Sequence, residues 1–121
     1  MNTPTSSPWG HVQTITLVVD GITQVHTAEH GGLWLSRSRL DQMPAALRSC
    51  NTYSGAGGPW FEEDCEFALV VAAFPDAFTP RLCHAAAATI RGSSRGYMEN
   101  AKAWLQSAQA TPLLSRALLA V

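Results

Sequence analysis

The sequence predicts an α+β fold: a three-stranded antiparallel meander packed on a central helix, followed by two or three C-terminal helices. Three observations predict it. Residues 11–27 alternate apolar and polar side chains and are interrupted by Asp20-Gly21, a two-residue hairpin signal. Residues 67–74 read Phe-Ala-Leu-Val-Val-Ala-Ala-Phe with no polar side chain, as in a helix covered on all sides. Two Thr-Pro pairs, Thr79-Pro80 and Thr111-Pro112, each set a capping hydroxyl before a proline whose φ already suits a first helical turn.

In chain order, residues 1–8 are small and polar with two prolines, which predicts a flexible start. Residues 11–19 form a first strand, with Val12, Ile15, Leu17 and Val19 and with Thr14 and Thr16 between, and residues 22–27 return as the second. His30-Gly31-Gly32 marks a turn before a short third strand, Leu33-Trp34-Leu35. Ser36 caps a short helix over 37–42, and Pro44 stops it, with one more turn over 45–48. Three glycines make residues 49–58 a loop.

The central helix is expected to begin at Pro59. Glu62, Glu63 and Asp64 then fall in its first turn, where the helix dipole favours negative charge. Phe61, Cys65, Ala68 and Ala72 lie on one stripe, so Cys65 is expected to be a buried, inert thiol. Residues 80–91 form the next helix, ended by Gly92, with Leu82, Cys83, Ala86 and Ile90 inward and His84 outward. A helix over 96–109 turns Tyr97, Ala101, Trp104, Leu105 and Ala108 inward, and residues 113–119 make a last apolar helix.

The chain has 121 residues, enough for one domain over 1–121 with one core. The net charge of −1 gives no whole-chain argument for nucleic acid. No apolar run is long enough for a membrane span, and the three cysteines form no CxxC pair, which predicts a soluble, cytoplasmic protein.

No motif assigns a chemistry. Gly92-Ser93-Ser94-Arg95-Gly96 fits G-x-S-x-G, but a helix precedes it and no histidine follows His84, which excludes the esterase arrangement. The glycines at 55–58 are not followed by Lys-Ser/Thr, so they form no phosphate loop. No metal and no cofactor is called for. The acidic cluster, with His30 projecting toward it from the glycine turn, is the one constellation of note.

Trp9-Gly10-x-x-Gln13, Thr27-Ala28-x-His30-Gly31-Gly32, Met43-Pro44-x-x-Leu47-Arg48 and Trp60-x-Glu62-Glu63-Asp64-Cys65-Glu66-x-Ala68 together resemble an uncharacterised proteobacterial domain family associated with plasmids, phages and integrated elements. The similarity covers roughly residues 9–78, leaving 79–121 as a helical tail. The resemblance implies a setting and no catalytic residue. In that setting the expected function is a non-enzymatic protein-binding accessory protein, an inhibitor of a host defence complex in the manner of anti-CRISPR proteins. Its partner would be a host or element-encoded complex, including nucleic-acid-binding ones. Tyr53, Trp60, Glu62, Glu63 and Glu66 are the expected binding surface, since aromatic anchors supply affinity and exposed acids set approach. Two alternatives stand beside it: a small metal-dependent or hydrolytic enzyme using His30 with Glu62, Glu63 or Asp64, and a plasmid-maintenance module that dimerises through its apolar C-terminal helix.

Overall fold

The computed structural model describes residues 3–52, 57–93 and 96–120, so Tyr53 and Arg95 lie outside the described residues, as does the side chain of Tyr97. The architecture is α+β. A small ribbon pairs β1 (Ser6–Ser7) with β2 (Gly10–His11). The main sheet is an antiparallel meander of β3 (Thr14–Val19), β4 (Ile22–His26), β5 (Gly31–Leu35) and β6 (Trp60–Glu62), in that spatial order. Helices α1 (Arg37–Gln42) and α2 (Ala45–Arg48) lie between β5 and β6 in the chain. Four more follow β6: α3 (Phe67–Ala73), α4 (Pro80–Gly92), α5 (Glu99–Leu105) and α6 (Thr111–Leu118). Among the described residues no helix is long and apolar enough to cross a membrane.

The expected hairpin forms at Asp20-Gly21, with Val19 opposite Ile22 and a bulge between Leu17 and Val19. Gly21 is required twice over. Its φ is +84°, and a Cβ there would meet Arg39 Cγ and Ser36 Oγ at 2.7 Å. Those two side chains hold the turn in place. The Ser36 amide donates to Gly21 O, Ser36 Oγ caps α1 at Arg39 N, and Arg39 Nε donates to Asp20 O at 2.9 Å. Arg39 also lies 5.0 Å above the Phe74 ring, which ties the hairpin to the end of α3.

The fourth strand stands where the central helix was expected to begin. Glu62 ends it: its carboxylate accepts the amides of Asp64 at 2.6 Å, Cys65 and Glu66 at 2.7 Å, and the resulting turn over 63–66 precedes α3. The acids therefore organise a strand-to-helix turn rather than the first turn of a long helix. Trp60 and Phe61 instead follow the period of a strand, pointing to opposite faces. From Ala68 to Ala72 every side chain is buried, but Phe67, Ala73 and Phe74, expected to be covered as well, are half-buried at the ends of the run.

The main core lies on the helix side of the sheet. Ile22, Leu33, Leu35 and Phe61 project from the strands into Leu69, Val70, Ile90, Met98 and Leu113 of the helical layer. Helix α4 packs against both α3 and α6, and Arg116 fixes α6 by donating twice to Phe78 O, at 2.9 and 2.7 Å. Thr79 caps α4 as expected, its hydroxyl accepting from Leu82 N at 3.2 Å, whereas Thr111, expected to cap the last helix, lies inside α6, whose N-cap is Ala110 with no side-chain cap. The expected helix over 96–109 is divided. Residue Ser107 adopts extended φ/ψ, and its hydroxyl bonds back to Trp104 O at 2.6 Å, so a 3-10 turn over Ala108–Ala110 replaces the last turn. Ala108 is consequently exposed, and Ala110 is buried in its place.

The opposite face of the sheet carries a second, smaller cluster: Val12, Val25 and Trp60, packed with Trp9 and Trp34. Trp9 and Trp60 meet edge to face with ring centroids 5.7 Å apart.

Candidate functional site

Gly31 and Gly32, expected in a turn, are the first two residues of β5, paired with His26 and Val25, and the acidic turn and the first tryptophan converge on them. Gly32 pairs with Glu62 across β5 and β6, and a Cβ at Gly32 would collide with Phe61 O and the Trp9 ring. The second glycine therefore exists to let an indole lie against the strand. Gly31 O accepts the amide of Glu63 at 3.1 Å. A Cβ at Gly31 would lie 3.0 Å from His26 Nδ1 and 3.1 Å from Glu63 Oε2, so His26 and Glu63 flank the same point.

The histidine brought to the acidic turn is thus His26, not His30. His30 is exposed, and its amide and carbonyl close the Thr27 turn: the amide donates to Thr27 Oγ1, and the carbonyl accepts from Thr27 N and Oγ1. No ion pair joins His30 to a carboxylate among the described residues. The sequence signal for His26 was its alternation with Val25 on β4, which sends it to the same face as Gly31.

The expected binding surface is rearranged by the fourth strand. Trp60 is buried in the outer cluster and does not serve as an exposed anchor. Glu66 is buried: its carboxylate accepts from Asn51 Nδ2 at 3.2 Å, Thr52 N at 3.2 Å and Thr52 Oγ1 at 2.7 Å. Asn51 extends the network by donating to Trp60 O and accepting from Gly58 N. Glu66 is therefore the clamp of the loop between α2 and β6. Glu62 is committed to three backbone amides. Cys65, expected to be buried, is half-buried, lying in the turn before α3 at the margin of the main core. Cys50 and Cys83 are the buried thiols, and burial pushes both up from the ordinary value. Gln13 is exposed and its backbone N–H donates to His26 O, and Gly10 sits at φ +116° in the ribbon.

Glu63 and Asp64 are the acids of the cluster that reach solvent. Glu63 stands at the rim of a cleft of about 370 Å³ between the β3–β5 side of the sheet and the starts of α3 and α4. Leu33, Phe67, Val71 and Phe78 make its walls apolar, Val18 and Leu82 stand toward its mouth, and Gln24 and Thr79 supply polar atoms. Leu82, expected inward, is 40% exposed because the first turn of α4 overhangs this opening. Among the described residues Glu63 is the one ionisable side chain in the lining. Apolar walls with few polar groups and a charged rim suit the insertion of an apolar side chain whose neighbour carries positive charge. Among the described residues no three of His, Cys, Asp and Glu are gathered as metal ligands.

The sequence model of a family described only as a domain of unknown function (DUF7007) matches residues 2–119. The chain belongs to that family. The match runs from the N-terminal ribbon through α6, so the helical tail is part of the family domain and the relationship extends well past residue 78. No curated protein and no solved structure matches the chain.

Proposed function

We propose that this DUF7007 protein is a non-enzymatic binding protein of a mobile genetic element, that it inhibits a host defence complex, and that it seizes its partner through the cleft beside Glu63. The observation that carries this reading is the apolar cleft with a solvent-facing carboxylate at its rim. The resemblance to plasmid- and phage-borne proteins supports the setting. A partner segment with a protruding apolar side chain next to Lys or Arg fits the cleft chemistry. The apolar group supplies the anchor, and Glu63 with Asp64 sets approach and register.

The experiment is capture of the partner from host lysate by the tagged protein, repeated with Leu82→Asp and with Glu63→Lys combined with Asp64→Lys. All three positions are exposed, so the fold is expected to survive. The reading requires that wild-type protein capture a defined complex and that both variants lose most of it. Full capture by both folded variants overturns it.

One observation favours a second reading, a small hydrolytic or metal-dependent enzyme: His26 and Glu63 flank Gly31. Elemental analysis of purified protein separates the two, since a stoichiometric metal lost in His26→Ala supports the enzyme.

A further inference from the structure

The main sheet has two edges, and the fold treats them differently. At the β6 edge the strand is only three residues long, and Trp60 O is taken by Asn51 Nδ2. At the other edge, β3 runs six residues, and among the described residues its one strand partner is β4. Edge strands are usually protected by charge, proline or shortness. Thr-Ile-Thr-Leu-Val-Val contains no charge and no proline, and the bulge falls only at its end, between Leu17 and Val19. Instead it presents Ile15, 52% exposed, and Leu17, 68% exposed, on the outer face beside Thr23 and Val25.

The strand is also complementary to itself. In an antiparallel pair centred on Thr16, Thr16 faces its own copy and Ile15 faces the partner's Leu17. Apolar and β-branched pairs of this kind stabilise neighbouring strands. We propose that two copies of this chain associate through β3, joining the two four-stranded sheets into one continuous sheet. A two-fold axis perpendicular to the sheet puts both helical layers on the same side. Val18 lines the cleft from β3, so the two clefts then flank the seam and the dimer offers a paired binding surface. A strand contact is smaller than the ~800 Å² per partner of a standard interface, so the association is concentration-dependent rather than permanent. This inference stands independently of what the cleft binds.

The test is sedimentation equilibrium on the full chain over a wide concentration range. The wild type is expected to rise from 13.0 kDa toward twice that mass, and Leu17→Lys to stay monomeric with an unchanged melting curve. A second measurement reads the register without relying on that variant. In a Cys65→Ser background, Thr16→Cys is expected to give a disulfide-linked dimer on mild oxidation. Thr14→Cys, which would face the partner's Val18, is expected to give none. A wild type that is monomeric throughout, with no cross-link from Thr16→Cys, overturns the proposal. So does a dimer that Leu17→Lys leaves intact and that Leu118→Lys with Leu119→Lys dissociates, because those exposed leucines would then hold it.

Discussion

The two faces of the sheet are closed by different means. On the inner face Phe61, Leu33, Leu35 and Ile22 are covered by α-helices in one continuous core. On the outer face Val25 and Trp60 are covered by Val12 and two partly buried tryptophans, and Ile15 and Leu17 are left in solvent. The inner face gains its stability from extensive apolar burial. The outer face depends on a few aromatic contacts supplied by the chain just before β3. The difference teaches where this domain can vary its surface. Side chains on the outer face and along β3 can engage another molecule at little cost to the core, whereas the buried side chains of the helical layer cannot change without repacking.

The largest expected effect comes from emptying the inner face. Phe61 is fully buried, so Phe61→Ala is expected to destabilise by about 3–5 kcal/mol, measured by urea denaturation. A loss under about 1 kcal/mol would mean that the helical layer does not depend on β6. Next is the clamp that holds β6 against the preceding loop. Glu66→Ala removes one of the two acceptors of Asn51 Nδ2 and the carboxylate to which the Thr52 amide and hydroxyl donate. A cost of about 1–3 kcal/mol is expected, with faster proteolysis of that loop. The outer face should yield less. Trp9→Ala removes one edge-to-face pair from a half-buried position. It is expected to cost about 1–2 kcal/mol and to change Trp60 fluorescence. If Trp9→Ala were as damaging as Phe61→Ala, the contrast between the faces would be wrong.

The smallest effects are read at the thiols. Under native conditions Cys65 should react first with a thiol reagent, and Cys50 and Cys83 only after unfolding, since both are fully buried. Burial raises the folded-state pKa of Cys50 and Cys83 above 9.0. Above that pH the unfolded chain loses protons that the folded chain keeps. Stability is therefore expected to fall as pH rises past 9.0, by at most about 1.4 kcal/mol per pH unit for each thiol. Cys83→Ala should flatten the dependence.

Much of the fold was legible because its signals are local. The hairpin at Asp20-Gly21, the cap at Ser36 and the cap at Thr79 each depend on residues within one turn of each other, and each forms as expected. The candidate site was far less legible. Glu62, Glu63, Asp64 and Glu66 are neighbours in sequence with the same chemistry, yet one caps a turn, two face solvent and one is buried against Asn51 and Thr52. Their partners are backbone amides and a loop that no spacing rule links to them. Trp60 and Phe61 carried a missed cue, two aromatics favourable to a strand in front of a turn, as did the alternation of Val25 and His26 on β4.

By itself, the sequence determined the α+β class, the first three strands of the meander, the caps at Ser36 and Thr79 and the apolar run whose middle, 68–72, is buried, because periodicity and capping act within a few residues. Only the tertiary structure decided that Trp60–Glu62 joins the sheet, since a three-residue strand is stable only when β5 offers it a ladder and Trp9 and the helical layer cover its two faces. That one decision also buried Glu66, brought His26 rather than His30 to Glu63, and opened the cleft at whose rim Glu63 stands.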